Sequence, residues 1–319
     1  MKGRSAFITG IAGFAGSYLA EELLGNGWRV AGAVYKNEPL TNLSAIRKQV
    51  TLYRLDILNA DRCREVIGKV EPEYVFHLAA LASVGQSFSK ERATYRINFE
   101  GTLNLLQAAR EHGGVKRLLF VSSSDCYGPV RPRNKTLTEK QPFNPVSPYG
   151  ISKVGAEHLV QYYHRQYGLP VIIARAFNHS GPRQAESFVI PAFARQIALI
   201  EAARQEPVIK VGDLSARRDI ADVRDIVRGY RLLAEKGRPG EAYHLCSGRA
   251  VSVKRILELL LKKATKSISV EVDPARLRKT EIPVMRGSYD KARKQVGFEP
   301  RYRLEQTLQD TLEFWRASV

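Results

Sequence analysis

The chain has 319 residues, of which 44% are apolar, 26% charged and 9% aromatic, which excludes a disordered or low-complexity protein and allows a core without covalent staples. Its 50 Lys and Arg against 32 Asp and Glu leave a net charge of +18, which attracts anions of any kind. The excess is spread evenly, with 25 basic against 15 acidic residues over 1–200 and 25 against 17 over 201–319, so a polybasic nucleic-acid arm is excluded and most of the charge reads as solvated surface.

Through the first half, near-continuous apolar runs alternate with helical patterns. Ala6–Thr9, Trp28–Val34, Thr51–Leu55, Tyr74–Leu78, Leu118–Ser122 and Val171–Ala174 read as strands buried on both faces. Ser17–Leu24, Asn98–Glu111 and Tyr149–Tyr167 read as helices between them. This predicts an α/β fold with a Rossmann-type, doubly wound parallel sheet over residues 1–175. After Ala174 the connections lengthen, and helical pieces at Ala192–Glu201, Arg224–Glu235, Lys254–Lys263 and Leu304–Trp315 suggest a smaller α/β substrate domain over 176–319. A return segment near 219–246 is expected to rejoin the first domain. Cys63, Cys126 and Cys246 match no metal-ligand or redox spacing, so no metal is expected. The start Met1-Lys2-Gly3-Arg4 has no apolar leader, and no stretch nears the roughly 20 apolar residues of a membrane span. A cytoplasmic protein without membrane contact is the expectation.

Gly10, Gly13 and Gly16 lie between the first strand and the first helix. A strand-to-helix turn of this kind presents backbone N–H groups at the positive end of a helix dipole, and glycines let a pyrophosphate approach them. A dinucleotide is therefore expected there. The second strand exits through Val34-Tyr-Lys-Asn37, with no carboxylate before Glu38 and a cation at Lys36, which favours NADP(H) over NAD(H). Asp56 is placed to accept from an adenine amine or, alternatively, to cap a helix.

Tyr149 and Lys153 are four residues apart and share a helix face, and the preceding strand ends in Ser122, Ser123 and Ser124 at the ligand-binding edge. Lowering a phenol from its usual pKa near 10 toward 7 takes about 4 kcal/mol. An ammonium about 4 Å away at an effective dielectric near 20 supplies about that much. Tyr149 is thus read as the general acid, Lys153 as the group that lowers its pKa and holds a ribose, and Ser123 as the hydroxyl that polarises a carbonyl.

The glycine run, Phe76-His-Leu-Ala-Ala80, Asn98, the serine strand and the Tyr149/Lys153 pair resemble the extended short-chain dehydrogenase/reductases. The resemblance covers nearly the whole chain. It implies further cofactor contacts from Phe14, Ala15, Tyr35, Ile57, Leu78, Ala79, Ala80 and His179, with Asn98 supporting Lys153 through the helix backbone and water or, alternatively, serving as a buried structural residue. Ala176-Phe-Asn-His-Ser-Gly-Pro182, Val211–Asp219, Tyr243–Gly248 and Leu277–Pro283 resemble the branch that handles GDP-6-deoxyhexoses. That branch implies a GDP-sugar held by Ser123, Asn178, Val189, Arg218, Arg278 and Glu281, and a homodimer through the helices carrying Asn98 and Tyr149. The sequence departs from the pattern at Arg183, where a glycine is expected, and at Lys279, where a proline is expected.

Within the branch, a 4,6-dehydratase uses a Thr and a Glu just after the fifth strand. Here Ser123 and Asp125 stand there, the reductase version, with a shorter carboxylate. The resemblance thus implies NAD(P)H-dependent reduction of the C4 ketone of a GDP-4-keto-6-deoxy sugar, a hexose or a heptose. The alternatives are a 4,6-dehydratase and, outside enzymes, a dinucleotide-sensing or nucleic-acid-binding protein of the same fold.

Overall fold

The computed structural model describes residues 4–132, 135–276 and 282–319. In chain order the first half runs β1 (Ser5–Thr9), α1 (Phe14–Gly25), β2 (Arg29–Val34), β3 (Val50–Arg54), α2 (Ala60–Val70), β4 (Tyr74–His77), the short helices α3 (Val84–Ser87) and α4 (Glu91–Tyr95), α5 (Gly101–His112), β5 (Arg117–Ser123), α6 (Pro148–Tyr167) and β6 (Val171–Ala176). The second half runs β7 (Asn178–Ser180), α7 (Val189–Glu201), β8 (Val208–Val211), β9 (Arg217–Asp222), α8 (Val223–Lys236), β10 (Ala242–Leu245), β11 (Ala250–Ser252), α9 (Val253–Leu261), β12 (Ser269–Val272), β13 (Val284–Met285), α10 (Asp290–Val296) and α11 (Leu304–Ser318).

Seven strands form one parallel sheet in the order β10-β6-β5-β4-β1-β2-β3. β1 and β6 are buried along their whole length, as strands covered on both faces must be. One face packs Leu19 and Leu23 from α1, Ile226 and Tyr230 from α8, and Phe298 just after α10. The other packs Val66, Leu105, Ala109, Ala156 and Val160 from α2, α5 and α6. The order reverses between β1 and β4, the switch point where an open α/β sheet leaves a crevice.

Separate small sheets, β11-β9-β13 with β7 on β9 and β12-β8, share a third core in which Phe193, Ile197, Ile256, Leu260 and Leu308 join α7, α9 and α11. The helix expected at Arg224–Glu235 is α8, which lies within the segment 219–246 expected to return to the first domain, and it packs on α1. Its Ile226, Tyr230 and Leu233 close the face of the seven-stranded sheet, so a long apolar stripe decides its place.

Two turns set the site. Ser147 caps α6 by accepting from Gly150 N, Pro148 fixes the first turn, and the left-handed Gly168 ends it. The helix expected at Asn98–Glu111 begins instead with a π turn, Arg96–Glu100, that buries Asn98 before α5 starts. Such turns re-aim side chains and recur at functional sites.

Candidate active site

The crevice at the carboxyl ends of β1, β4 and β5 opens into one cleft of about 1440 Å³ that reaches the small sheets. It brings together Gly10, Gly13, Phe14, Ala15, Gly16, Tyr35, Lys36, Asp56, Ile57, Leu78, Ala79, Ala80, Ser123, Asp125, Tyr149, Lys153, Asn178, His179, Val189 and Arg218. Arg278 and Glu281 lie outside the described residues. Asn98 stands behind the wall rather than in it.

At the glycine turn, Gly10 has φ +72° and a Cβ there would press on Ala79 at 3.1 Å, while a Cβ on Gly16 would meet the Gly10 carbonyl at 2.0 Å. Only glycine fits at both. Gly13 caps α1 without a side-chain acceptor, and no acidic residue occupies the first turn. The turn therefore suits a pyrophosphate. Asp56 accepts from Leu58 N at 3.0 Å and Asn59 caps α2, so the helix-cap alternative for Asp56 is excluded. Glu38 folds back to accept from Tyr35 N at 3.0 Å, which sets a carboxylate beside Lys36 and weakens the electrostatic case for a 2′-phosphate. His179 stacks on Phe14 at 5.9 Å between centroids, with Nδ1 3.0 Å from the Phe177 carbonyl, and burial lowers its pKa.

The wall behind β1 and β4 is a hydrogen-bond chain. Leu78 N and Ala79 N each donate to Thr9 Oγ1 at 3.2 Å, so the Thr9 hydroxyl donates to His77 Nδ1 at 2.8 Å. His77 Nε2 then donates to Thr102 Oγ1 at 2.9 Å, and Thr102 donates to the Asn98 carbonyl at 2.7 Å. Burial pushes His77 down to about 3, so the ring is neutral, as this chain of donors requires. From Asn98 the contacts run to the helix that carries Lys153. The Asn98 amide accepts from Leu81 N at 2.8 Å and donates to Ser152 Oγ at 2.9 Å, and Ser152 donates to the Tyr149 carbonyl at 2.7 Å. Asn98 thus holds the backbone of the first turn of α6, because the π turn aims it there.

Tyr149 is buried, and Lys153 Nζ lies 6.0 Å from its ring centroid and donates to the Val121 carbonyl at 2.8 Å. Ser123 Oγ donates to Asp125 Oδ2 at 3.0 Å, and Asp125 N donates back to Ser123 Oγ at 3.1 Å. Burial, with the Asp125 carboxylate added, raises the Tyr149 phenol above its ordinary value, and the Ser123 hydroxyl only partly opposes this. The expected lowering by Lys153 is therefore not what the surrounding groups do. Burial instead lowers Lys153 to about 8, with Cys126 and Glu157 opposing. The result is a neutral phenol beside an ammonium, a proton donor rather than a preformed base.

On the substrate side, Asn178 on β7 and Val189 at the start of α7 are exposed to the cleft. Arg218 Nη1 donates to the Ile282 carbonyl at 2.6 Å. Arg183, at the unexpected position, adopts φ +70°, and its guanidinium grips Glu21 at 2.7 and 2.9 Å over the Tyr18 ring. A left-handed non-glycine costs about 1–2 kcal/mol, which the ion pair and ring contact offset. Lys210 and Arg276 also line the cleft, and sequence reasoning missed both. The available signal was Gly212, whose Cβ would strike the Arg276 carbonyl at 2.6 Å, so the two segments must cross there.

A family model described as GDP-mannose 4,6 dehydratase matches residues 7–311. The chain belongs to that family. It is 34% identical over 313 residues to a GDP-6-deoxy-D-mannose reductase of Pseudomonas aeruginosa, covering 98% of this chain and 97% of the relative. It is 30% identical over 325 residues to a GDP-mannose 4,6-dehydratase of Sinorhizobium fredii, covering 92% and 91%. The solved structure of RMD from Pseudomonas aeruginosa complexed with NADPH superposes with a TM-score of 0.86 at 32% identity, covering 99% of this chain and all of that one. The fold is thus that of the extended short-chain dehydrogenase/reductases.

Because Lys153 is a cation below about 8 and neutral above it, a reaction that needs its charge falls off on the alkaline side. Turnover is expected to be level near pH 7 and to drop about tenfold per unit above about pH 8, and Lys153→Met should abolish that limb together with most of the rate. Pre-steady-state rates across pH 6–10 check this; a rate that stays level up to pH 10 would contradict it.

Proposed function

We propose that the protein is an NADPH-dependent reductase that converts the C4 ketone of a GDP-4-keto-6-deoxy sugar into an alcohol, giving GDP-rhamnose or a close relative, with NAD(H) as the second cofactor. The observation that carries this reading is the neutral Tyr149 phenol set beside Ser123, Asp125 and the Lys153 ammonium. A dehydratase must also remove a C5 proton and expel the C6 hydroxyl. The short Asp125 side chain, engaged by Ser123, is poorly suited to reach that far.

NADPH, when bound, supplies the hydride. Backbone N–H groups from Gly13 to Gly16 would hold its pyrophosphate, Tyr35 and Lys36 its adenosine ribose, Asp56 and Ile57 its adenine, and Leu78, Ala79, Ala80 and His179 its remaining length. Tyr149 and Lys153 would hold the nicotinamide ribose. At the ketone, the Ser123 hydroxyl and the Tyr149 phenol donate to the carbonyl oxygen, and Tyr149 gives up its proton as that oxygen gains negative charge. The Lys153 ammonium then stabilises the tyrosinate left behind. Asn178 and Val189 would face the sugar. Arg218, Lys210 and Arg276, with Arg278 and Glu281, would hold the GDP end, where planar guanidinium groups suit phosphates. In this reading residues 1–175 and 219–246 serve the cofactor and the small sheets serve the sugar nucleotide.

Among the described residues no helix is long and apolar enough to cross a membrane. Three free buried cysteines suit the reducing cytoplasm to which we assign the protein. We also assign a homodimer through the outer faces of the π turn, α5 and α6. Phe99, Ile151 and Tyr162 are 41%, 46% and 46% exposed there, and Phe99 lies against Gly155, an apolar strip on otherwise polar helices.

With GDP-4-keto-6-deoxymannose, each ketone reduced should oxidise one NADPH, and Tyr149→Phe should lower turnover about a hundredfold to ten-thousandfold. Conversion of GDP-mannose without net loss of NADPH would replace this reading with the dehydratase. Ile151→Glu should halve the mass found by sedimentation; a wild-type chain that sediments as a monomer would refute the dimer.

A further inference from the structure

Tyr149, Lys153 and Glu157 follow one another at four-residue intervals, so they lie on one face of α6, toward the carboxyl end of β5. Together they face Val121, Ser122 and Ser123 of β5. Lys153 Nζ donates to the Val121 carbonyl, Glu157 Oε2 accepts from Ser122 Oγ at 2.6 Å, and the Tyr149 phenol lies beside the Ser123 hydroxyl. Glu157 Oε1 accepts from Arg175 Nε at 3.0 Å and Nη2 at 2.5 Å. Arg175 is the register partner of Ser122 across β5 and β6, so one carboxylate ties a helix to two neighbouring strands. Glu157 has no exposed surface, and Arg175 is almost as buried. Arg175 is held in turn by Tyr127, whose hydroxyl donates to His244 Nε2 at 2.6 Å.

Lys153 is faced by Tyr149 and Glu157 from α6, by His77 from β4 and by Cys126 from the turn after β5, with Arg175 on β6 behind Glu157. His77 is neutral, and burial pushes the Cys126 thiol up to about 12. Glu157 is therefore the anion among the groups that act on the ammonium. A buried ion pair is weak evidence for stability in itself, because apolar replacements often fold as well. Its placement, on the catalytic face and on the strand that carries Ser123, calls for another account.

We propose that Glu157 is a positioning residue: with Arg175 and Ser122 it locks α6 onto β5 so that Ser123, Tyr149 and Lys153 converge, and its carboxylate supplies the counter-charge of the Lys153 ammonium. This rests on the reductase reading. Only the distance and charge of Glu157 are at stake in the test, since wild-type enzyme serves as the control for the reaction itself.

Two variants of the full chain, Glu157→Gln and the double variant Glu157→Gln with Arg175→Met, are compared with wild type for NADPH oxidation by the keto-sugar from pH 6 to 10, for NADPH affinity by fluorescence titration and for melting temperature. The double variant removes both charges and so leaves no lone buried ion. Each variant is expected to lose about tenfold in kcat with KM and NADPH affinity within about threefold; the alkaline limb should move about one unit below that of wild type in Glu157→Gln and by less in the double variant, where a cation leaves with the anion. A folded Glu157→Gln variant whose limb stays in place, or either variant whose only change is a lower melting temperature, overturns the proposal. So does failure of both to fold, which would make the pair a folding element. A wild-type protein that does not oxidise NADPH fails the reductase reading instead.

Discussion

The 2.8 Å hydrogen bond from Lys153 Nζ to the Val121 carbonyl fixes where the catalytic helix meets the central sheet. A lysine so buried must satisfy its ammonium inside the protein, and the last carbonyls of β5 are the acceptors within reach. Once it does so, the helix period delivers Tyr149 to Ser123 one turn earlier and Glu157 to Ser122 one turn later. The site is therefore assembled by rigid elements, and the loops around it supply selectivity.

That docking has an electrostatic consequence. Burial that lowers Lys153 also raises Tyr149, so the pair separates into a proton-holding phenol and an ammonium poised near neutrality. Reduction of a ketone needs a donor at the oxygen and a positive charge to stabilise the phenolate that remains, and this arrangement offers both. The chain of Thr9, His77, Thr102 and Asn98 adds stiffness, because it links the glycine turn to the first turn of α6 without passing through the cleft.

The strands were legible because a sheet covered on both faces demands unbroken apolar runs such as Leu118–Phe120 and Val171–Ile173. The Tyr149/Lys153 spacing and the glycine turn were legible because local geometry alone gives them meaning. What sequence left open depends on distant packing. Asn98 turns inward only through a π turn, and Glu38 folds back onto Tyr35. Lys210 and Arg276 line one cleft only because two remote segments approach each other at Gly212. The direction of the Tyr149 shift was hidden for the same reason: spacing places a lysine nearby, but only the fold shows its ammonium turned to a carbonyl and the phenol buried at the cleft wall.

The most direct measurement is the ionisation of the Tyr149 phenol itself, read as the tyrosinate absorbance of wild-type protein minus that of Tyr149→Phe during an alkaline titration without nucleotide. A difference signal that stays flat through pH 9 is the expected result. A tyrosinate that appears near pH 7 would contradict the account, since the phenol would then be a base made by its neighbours rather than a donor kept by burial.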